Sequence, residues 1–544
     1  NPDAAKSFVE RQRLFDLPRS SWADYDAKLI SAGGGIFLRS AKSIAISPQM
    51  KERFDISADK LAPNELLNAL LKAPVDLLWN GGIGTYVKSS KESHADVGDK
   101  ANDLLRVDGR ELRAKVVGEG GNLGMSQLGR IEYGLNGGKS NTDFIDNAGG
   151  VDCSDHEVNI KILLGEIVGA GDMTGKQRNK LLVEMTDAVG GLVLGNNYKQ
   201  TQALSLAERR ARERVSEYKR LMTALEAAGK LDRALEFLPT DDELNERAAN
   251  GLGLTRPELS VLISYSKIDL KESLLKSLVP DDEYLAREME TAFPPLLAKK
   301  FGEPMRRHRL KREIVSTQIA NDLVNHMGIT FVQRLKESTG MSAANVAGAY
   351  VIVRDLFRLP HWWKQIEALD YQVPAELQLQ LMDELMRLGR RATRWFLRSR
   401  RNELDAARDV AHFAPRIEAL VGRLDELLEG PAREQWLARF QAYVEAGVPE
   451  ELARVVAGTS HLYTLLPIIE ASDVTGQQPA RVAAAYFAIG GSLELSWYLQ
   501  QITSLPVENN WQALAREAFR DDLDWQQRAI TVSVLQMAEG PADI

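Results

Sequence analysis

One cysteine in 544 residues, Cys153, excludes an internal disulfide, so the chain must be held together without covalent staples and suits a reducing compartment. Long apolar runs are missing too. The most apolar late stretch, Val482 to Leu499, is broken by Gly490, Gly491 and Glu494, short of the ~20 residues that span a bilayer. There is no excess of positive charge: the formal net charge is −8, which argues against a general binder of nucleic acid or anionic membranes. Metal-ligand spacing is absent. Cys153 and His156 stand at a helix start with no third group to orient them, so neither a metal site nor a nucleophile and base follows from them. The chain opens Asn1-Pro2-Asp3 without an initiator Met or an apolar signal core, and the expectation is a segment of a longer protein with a soluble, cytoplasmic setting.

What is present is size and an uneven distribution of glycine. The length corresponds to roughly three to four domain-sized units. Nineteen of the 41 glycines fall in residues 1–165 and 22 in the remaining 379. Loop-rich sequence with short apolar strands thus gives way to long helical periodicity. The expected organisation is an α/β unit over 1–165, the second half of a Rossmann-like parallel-sheet domain, followed by an all-α region over 166–544 with one or two subdomains.

Pro63, Glu65 and the Leu66, Leu67, Leu70, Leu71 face predict a helix ending near Pro74. Strands are expected at Val75 to Trp79, Ala114 to Val117 and Thr142 to Ile145, with a further short strand after Gly33-Gly34-Gly35 at Ile36 to Leu38. Asn80, Asn122 and Asn147 each follow one of these strands, at the carboxyl ends where open α/β sheets place ligands. Ser154 and Glu157 have capping-box spacing and predict a helix opening there; Thr174 with Gln177, Thr240 with Glu243, and Thr255 with Glu258 repeat the pattern. Ala207, Ala211, Val215, Tyr218, Met222 and Leu225 form one apolar helical face.

The chemistry concentrates between Lys115 and Lys161. Gly118-Glu119-Gly120-Gly121-Asn122-Leu123-Gly124 has G-x-G-x-x-x-G spacing, one residue longer than the dinucleotide fingerprint, so a glycine-rich turn explains it equally well. Asn147-Ala148-Gly149-Gly150 offers an amide beside backbone that admits close approach, although Asn and Gly are also ordinary turn residues. Ser154 reads as an N-cap, and a helix N-terminus favours a carboxylate ligand through the same donors. Basic runs at Arg306 to Arg309 and from Arg387 to Arg401, with Trp395 between, read as solvated faces or interface ion pairs ahead of phosphate contacts.

Three strings carry a resemblance: WNGGIGTYVKSS (Trp79 to Ser90), EGGNLGMSQLGRIEYGLNGG (Glu119 to Gly138) and NTDFIDNAGGVDCSDHEVNIKIL (Asn141 to Leu163). With them the chain resembles the carboxyl-terminal part of the large-subunit NAD-dependent glutamate dehydrogenases of bacteria. The resemblance implies reversible oxidative deamination of L-glutamate to 2-oxoglutarate and ammonia, with hydride passing to NAD, in a homo-oligomer, a tetramer. It implies no nucleic-acid and no membrane partner. The smaller glutamate dehydrogenases show E-G-A-N and N-A-G-G-V-x-x-S, similar to Glu119-Gly120-Gly121-Asn122 and to Asn147 through Ser154. By that likeness Asn122 and Asn147 lie at the nicotinamide ribose and carboxamide, and Val151 and Ser154 line the pocket for the substrate's distal carboxylate. Asn80, Gly81 and Gly82 occupy a corresponding earlier loop with a different motif.

The family's catalytic lysine and aspartate and its pyrophosphate loop match nothing in this sequence, so no catalytic residue is assigned and they are expected upstream. A competing reading makes the helical region a noncatalytic oligomerisation or regulatory module carrying a degenerate dinucleotide half-domain. Both readings predict that the purified 544-residue chain forms no NADH from glutamate; robust turnover by it, free of host dehydrogenase, would contradict this placement of the catalytic groups.

Overall fold

The computed structural model describes residues 3–401, 403–507 and 509–538. The first two residues, where the sequence reading began, lie outside them. The chain folds into two compact units, one built from Asn1–Glu157 with Gly190–Ser264, the other from Val158–Val189 with Tyr265–Ile544.

The first unit contains the strands. β1 (Ile44–Ala45) and β2 (Lys60–Leu61) pair antiparallel over a small core of Ile44, Ile46, Met50, Ile56 and Leu66. Leu66 is supplied by α1 (Pro63–Leu71), which starts as expected, with Pro63 at its first position and the Glu65 carboxylate accepting the Ala62 N–H at 2.8 Å. β3 (Leu77–Asn80) runs parallel to β6 (Val116–Glu119), in a register that sets Asn80 opposite Glu119. β4 (Val87–Lys88) runs parallel to β5 (Val107–Asp108). Val87, Val107, Ala114, Val117, Met125 and Tyr133 form the core between these pairs. An α/β beginning with parallel pairing is therefore present, as three separate two-stranded sheets.

Three local expectations are corrected. Ile36 to Leu38 forms no strand; the chain turns at Gly33 and runs on irregularly. Thr142 to Ile145 is not a strand but the entry to α2 (Asp143–Asp146). A helical turn sets residues i and i+3 on one side, which lets both Asp143 and Asp146 reach the loop after β6, whereas a strand would point them to opposite faces. The helix read as opening at Ser154 opens at Ala148: α3 spans Ala148–Gly169 and passes through Gly149 and Gly150. Ser154 lies in its interior, and its hydroxyl donates back to the Gly150 carbonyl at 3.2 Å.

Elsewhere the capping signals hold. Thr174 and Gln177, and Thr240 and Glu243, make reciprocal caps on Gly175–Glu184 and Asp241–Ala249. Thr255 donates its N–H and its hydroxyl to Glu258, both at 2.7 Å, at the head of Arg256–Leu275. The apolar face from Ala211 to Leu225 is buried, although the helix breaks at Arg210 to Arg214 between α4 (Thr186–Arg209) and Val215–Ala227.

The second unit is helical. Ala375–Ser399 is its long central helix, burying Leu381, Leu385, Leu388, Ala392 and Phe396. The arginines on this helix make ion pairs inside the chain: Arg391 with Asp524, and Arg394 with Glu517 and Asp521. Trp395 is half-buried and makes T-shaped contacts with Phe396 and Phe413. Among the described residues no single helix is long and apolar enough to cross a membrane. The bent pair Glu450–Ala457 and Thr459–Thr475 is apolar because Leu452, Val456, Leu466 and Ile469 are core residues.

Glu258 is fully buried and also accepts Arg247 at 2.8 and 2.9 Å. Removing it strands a guanidinium and a cap together. Glu258→Ala is expected to cost about 3–5 kcal/mol of unfolding free energy, against under about 1 kcal/mol for the exposed cap of Thr174→Ala, both read from urea unfolding.

Candidate functional site

The parallel pairing of β3 and β6 brings two loops to the same end of the sheet. Gly120 and Gly121 both donate their N–H groups to the Asn80 carbonyl, at 2.9 and 3.2 Å. The Thr85 hydroxyl donates to the Leu123 carbonyl at 2.7 Å, and the Tyr86 N–H to the Gly124 carbonyl at 2.8 Å. This closeness requires glycine at 121, and at 124 a larger residue would have to displace the Asn80 side chain. A Cβ on Gly121 would stand 2.5 Å from the Gly82 carbonyl oxygen, and one on Gly124 would stand 1.6 Å from the Asn80 side-chain nitrogen. Asn80, Gly81, Gly82, Gly120 and Gly121 thus belong to one double loop.

Segment 143–154 is tied to the same loop by carboxylates. Asp146 accepts the Glu119 N–H at 3.1 Å and Asp143 accepts the Leu123 N–H at 2.7 Å. Leu123 is held at φ 57°, a left-handed conformation that costs a branched residue energy and persists only where neighbours enforce it. From behind, Asn197 of α4 donates to the Ile145 carbonyl at 2.8 Å and Asn196 to Asp152 at 2.8 Å.

Beneath the loops lies a fully buried ion pair. Glu119 is 0% exposed, and the Arg130 guanidinium grips its carboxylate at 2.6 and 2.9 Å, while the Met125 N–H adds a third bond at 3.1 Å. Arg130 also lies 3.3 Å from Asp143. Burial pushes the Glu119 carboxyl above its usual range, and the guanidinium pulls it back. Glu119 is therefore a positioning residue, spent on holding the loop.

The remaining candidates are free to meet a ligand. Among the described residues, the side-chain amides of Asn122 and Asn147 have no hydrogen-bond partner; Asn122 is exposed and Asn147 half-buried. Asn147 is the residue immediately before α3, and the N–H groups of Ala148 to Gly150 come before the first bond of the helical ladder. Val151 is 69% exposed and Ser154 is exposed one turn further on. The arrangement offers two amides, close backbone approach and a helix N-terminus, a donor set for a polar, anionic ligand.

A family model described as "Bacterial NAD-glutamate dehydrogenase, catalytic domain" matches residues 1–207, and one described as "Glutamate dehydrogenase, C-terminal" matches 251–544. The chain belongs to the bacterial NAD-glutamate dehydrogenases. Relatives in that family named NAD-specific glutamate dehydrogenase are 85% identical over 544 residues in Pseudomonas aeruginosa and 58% over 542 in Halomonas elongata. A third, in Mycobacterium tuberculosis, is 41% identical over 545 residues. These alignments cover 99–100% of this chain and 33–34% of each relative, so the chain spans about a third of the length of the glutamate dehydrogenases it matches.

The sequence reading of this family segment missed Arg130, Asp143, Asp146 and Asn197. Asp143 inside the expected strand and Asp146 just past its end, three residues apart, were the one available signal. Arg130→Met should leave a buried carboxylate uncompensated and cost about 3–5 kcal/mol. Because the folded-state pKa of Glu119 then lies further above its unfolded value, the penalty is present at neutral pH and shrinks as pH falls through that raised pKa toward the ordinary carboxylate range. Urea unfolding at neutral and acid pH checks both parts; a penalty independent of pH would contradict the assignment.

Proposed function

We propose that this chain is the nicotinamide and substrate-carboxylate side of an NAD-dependent glutamate dehydrogenase, which interconverts L-glutamate with 2-oxoglutarate and ammonia. The observation that carries the reading is the meeting of the Asn80 and Asn122 loops at the carboxyl ends of one parallel pair, with the helical turn just before Asn147 tied to them through Asp143 and Asp146. Asn122 and Asn147 hold the nicotinamide ribose and carboxamide, with their unpartnered amides supplying donors and acceptors. Asn80, Gly81, Gly82, Gly120 and Gly121 give the backbone room for the dinucleotide, and Glu119 fixes the loop from within. When bound, NAD supplies the hydride acceptor. Val151 and Ser154, with the free N–H groups of the first turn of α3, receive the distal carboxylate of the substrate.

Residues 1–165 serve as the partial Rossmann-like NAD-binding domain and 166–544 as the helical region of a cytoplasmic homo-oligomer, a tetramer. The proton-transfer groups come from elsewhere in the full-length protein.

The helix start at Ala148 separates two roles of Ser154 that were entangled while it read as a cap. In the full-length protein Ser154→Ala should weaken 2-oxoglutarate binding by about tenfold to a hundredfold, the loss of one hydrogen bond to a charged group. NAD affinity and melting temperature should hardly move, since an interior serine on an exposed face caps nothing. Isothermal titration with each ligand and a melting curve on one preparation make the test. Unchanged 2-oxoglutarate affinity would remove Ser154 from the substrate pocket.

A further inference from the structure

The helix Asn510–Met537 is folded inside out. Six of its seven ionisable residues turn toward the bundle: Glu517 and Asp521 meet Arg394, Asp524 meets Arg391, and Arg528 meets Glu470. Arg516 donates to the Thr503 and Leu505 carbonyls, and Arg520 to the Thr503 hydroxyl at 2.7 Å. Only Asp522 faces solvent. The opposite face carries Trp511, Phe519, Trp525 and Met537, exposed by 80%, 54%, 57% and 79%. Beside it the apolar helix Leu495–Ser504 buries no residue and leaves Trp497 and Tyr498 more than half exposed. A helix on a solvent-facing surface has the reverse arrangement, and scattered exposed apolar residues do not extend over seven turns.

We propose that this face is where a second copy of the chain docks, the two Asn510–Met537 helices lying antiparallel about a two-fold axis beside Asp524. Area is the first argument. Five rings worth roughly 150–250 Å² each when fully buried, here half to four-fifths exposed, bring the patch close to the ~800 Å² per partner of a standard interface once the aliphatic residues between them are added.

The second argument is register. Antiparallel pairing about Asp524 sets Trp511 opposite Met537, Phe519 opposite Ala529 and Ala518 opposite Ile530, large against small or flexible, and sets Ala515 opposite Ser533, two small residues that allow close approach. It also sets the lone carboxylate of Asp522 opposite the Gln526 amide of the other copy. A parallel pairing would set Asp522 against itself. An isologous contact needs such self-complementarity. A lipid surface fits less well, because helices that lie on bilayers present Lys and Arg at the edge of their apolar face, and here every arginine of the helix is engaged inward. The inference rests on the homo-oligomer in the proposed function and is independent of its catalytic part.

The test uses the full-length protein. Phe519→Glu combined with Trp525→Glu should weaken association at least tenfold in sedimentation velocity, with the circular dichroism spectrum and NAD binding retained. Asp522→Cys combined with Gln526→Cys should form covalent dimers on mild oxidation, and Asp522→Cys combined with Ser533→Cys should not. If the glutamate pair fails to fold, the cysteine pairs decide. A folded glutamate variant of unchanged mass, cysteine pairs that cross-link without regard to register, a monomeric wild type, or recruitment of the wild type to phosphatidylglycerol vesicles through this face would each overturn the proposal. Loss of glutamate turnover with assembly intact would instead count against the catalytic reading alone.

Discussion

The candidate site depends on a carboxylate that never meets solvent. Glu119 ends β6, and its side chain turns down into the unit to be gripped by Arg130 from the following helix. A buried pair of this kind contributes little net stability over an apolar replacement, because desolvation consumes most of the Coulomb attraction. What it supplies is definition. With the carboxylate fixed, the Met125 N–H is fixed, and residues 120–124 must arch over the end of β3 in one shape. The glycines satisfy that constraint and the left-handed Leu123 is its cost.

From this anchor the polar network spreads outward in one direction. Asp143 and Asp146 transmit the position of the loop to the start of α3, and Asn197 of α4 holds the intervening backbone. The carboxylates of Glu119, Asp143 and Asp146 and the Arg130 guanidinium are all engaged internally, whereas the side-chain amides of Asn122 and Asn147, at the surface, are not. Saturated groups below and unsaturated amides above are what a preorganised binding surface requires, since the bound state then orders few additional side chains.

Much of this was legible in the sequence, where one local signal sufficed. Pro63 with Glu65, Thr174 with Gln177 and Thr240 with Glu243 each specify a helix start within four residues, and each was read correctly. The strand ends that carry Asn80 and Asn122 were found by apolar runs stopping at glycine. Ser154 with Glu157 has the same spacing yet caps nothing: the helix had begun six residues earlier, through Gly149 and Gly150, which spacing rules treat as breakers. A glycine in a first turn costs only about 1 kcal/mol, and ties from Asp146 and Asn197 around that turn outweigh it. The Glu119 and Arg130 pair was invisible for a different reason. It joins a strand to a helix across 11 residues, a distance with no periodicity to betray it. The inverted helix Asn510–Met537 likewise needs its partners to be seen, because amphipathicity alone does not tell which face turns in.

Hydrogen–deuterium exchange on the full-length protein tests the central claim most directly, measured without ligand, with NAD, and with NAD and 2-oxoglutarate together. The account predicts that NAD slows exchange at Gly120 to Leu123, and that adding 2-oxoglutarate extends protection to Gly149 to Val151 at the head of α3. Ligand binding that leaves both segments unprotected, with protection confined to other parts of the protein, would contradict it.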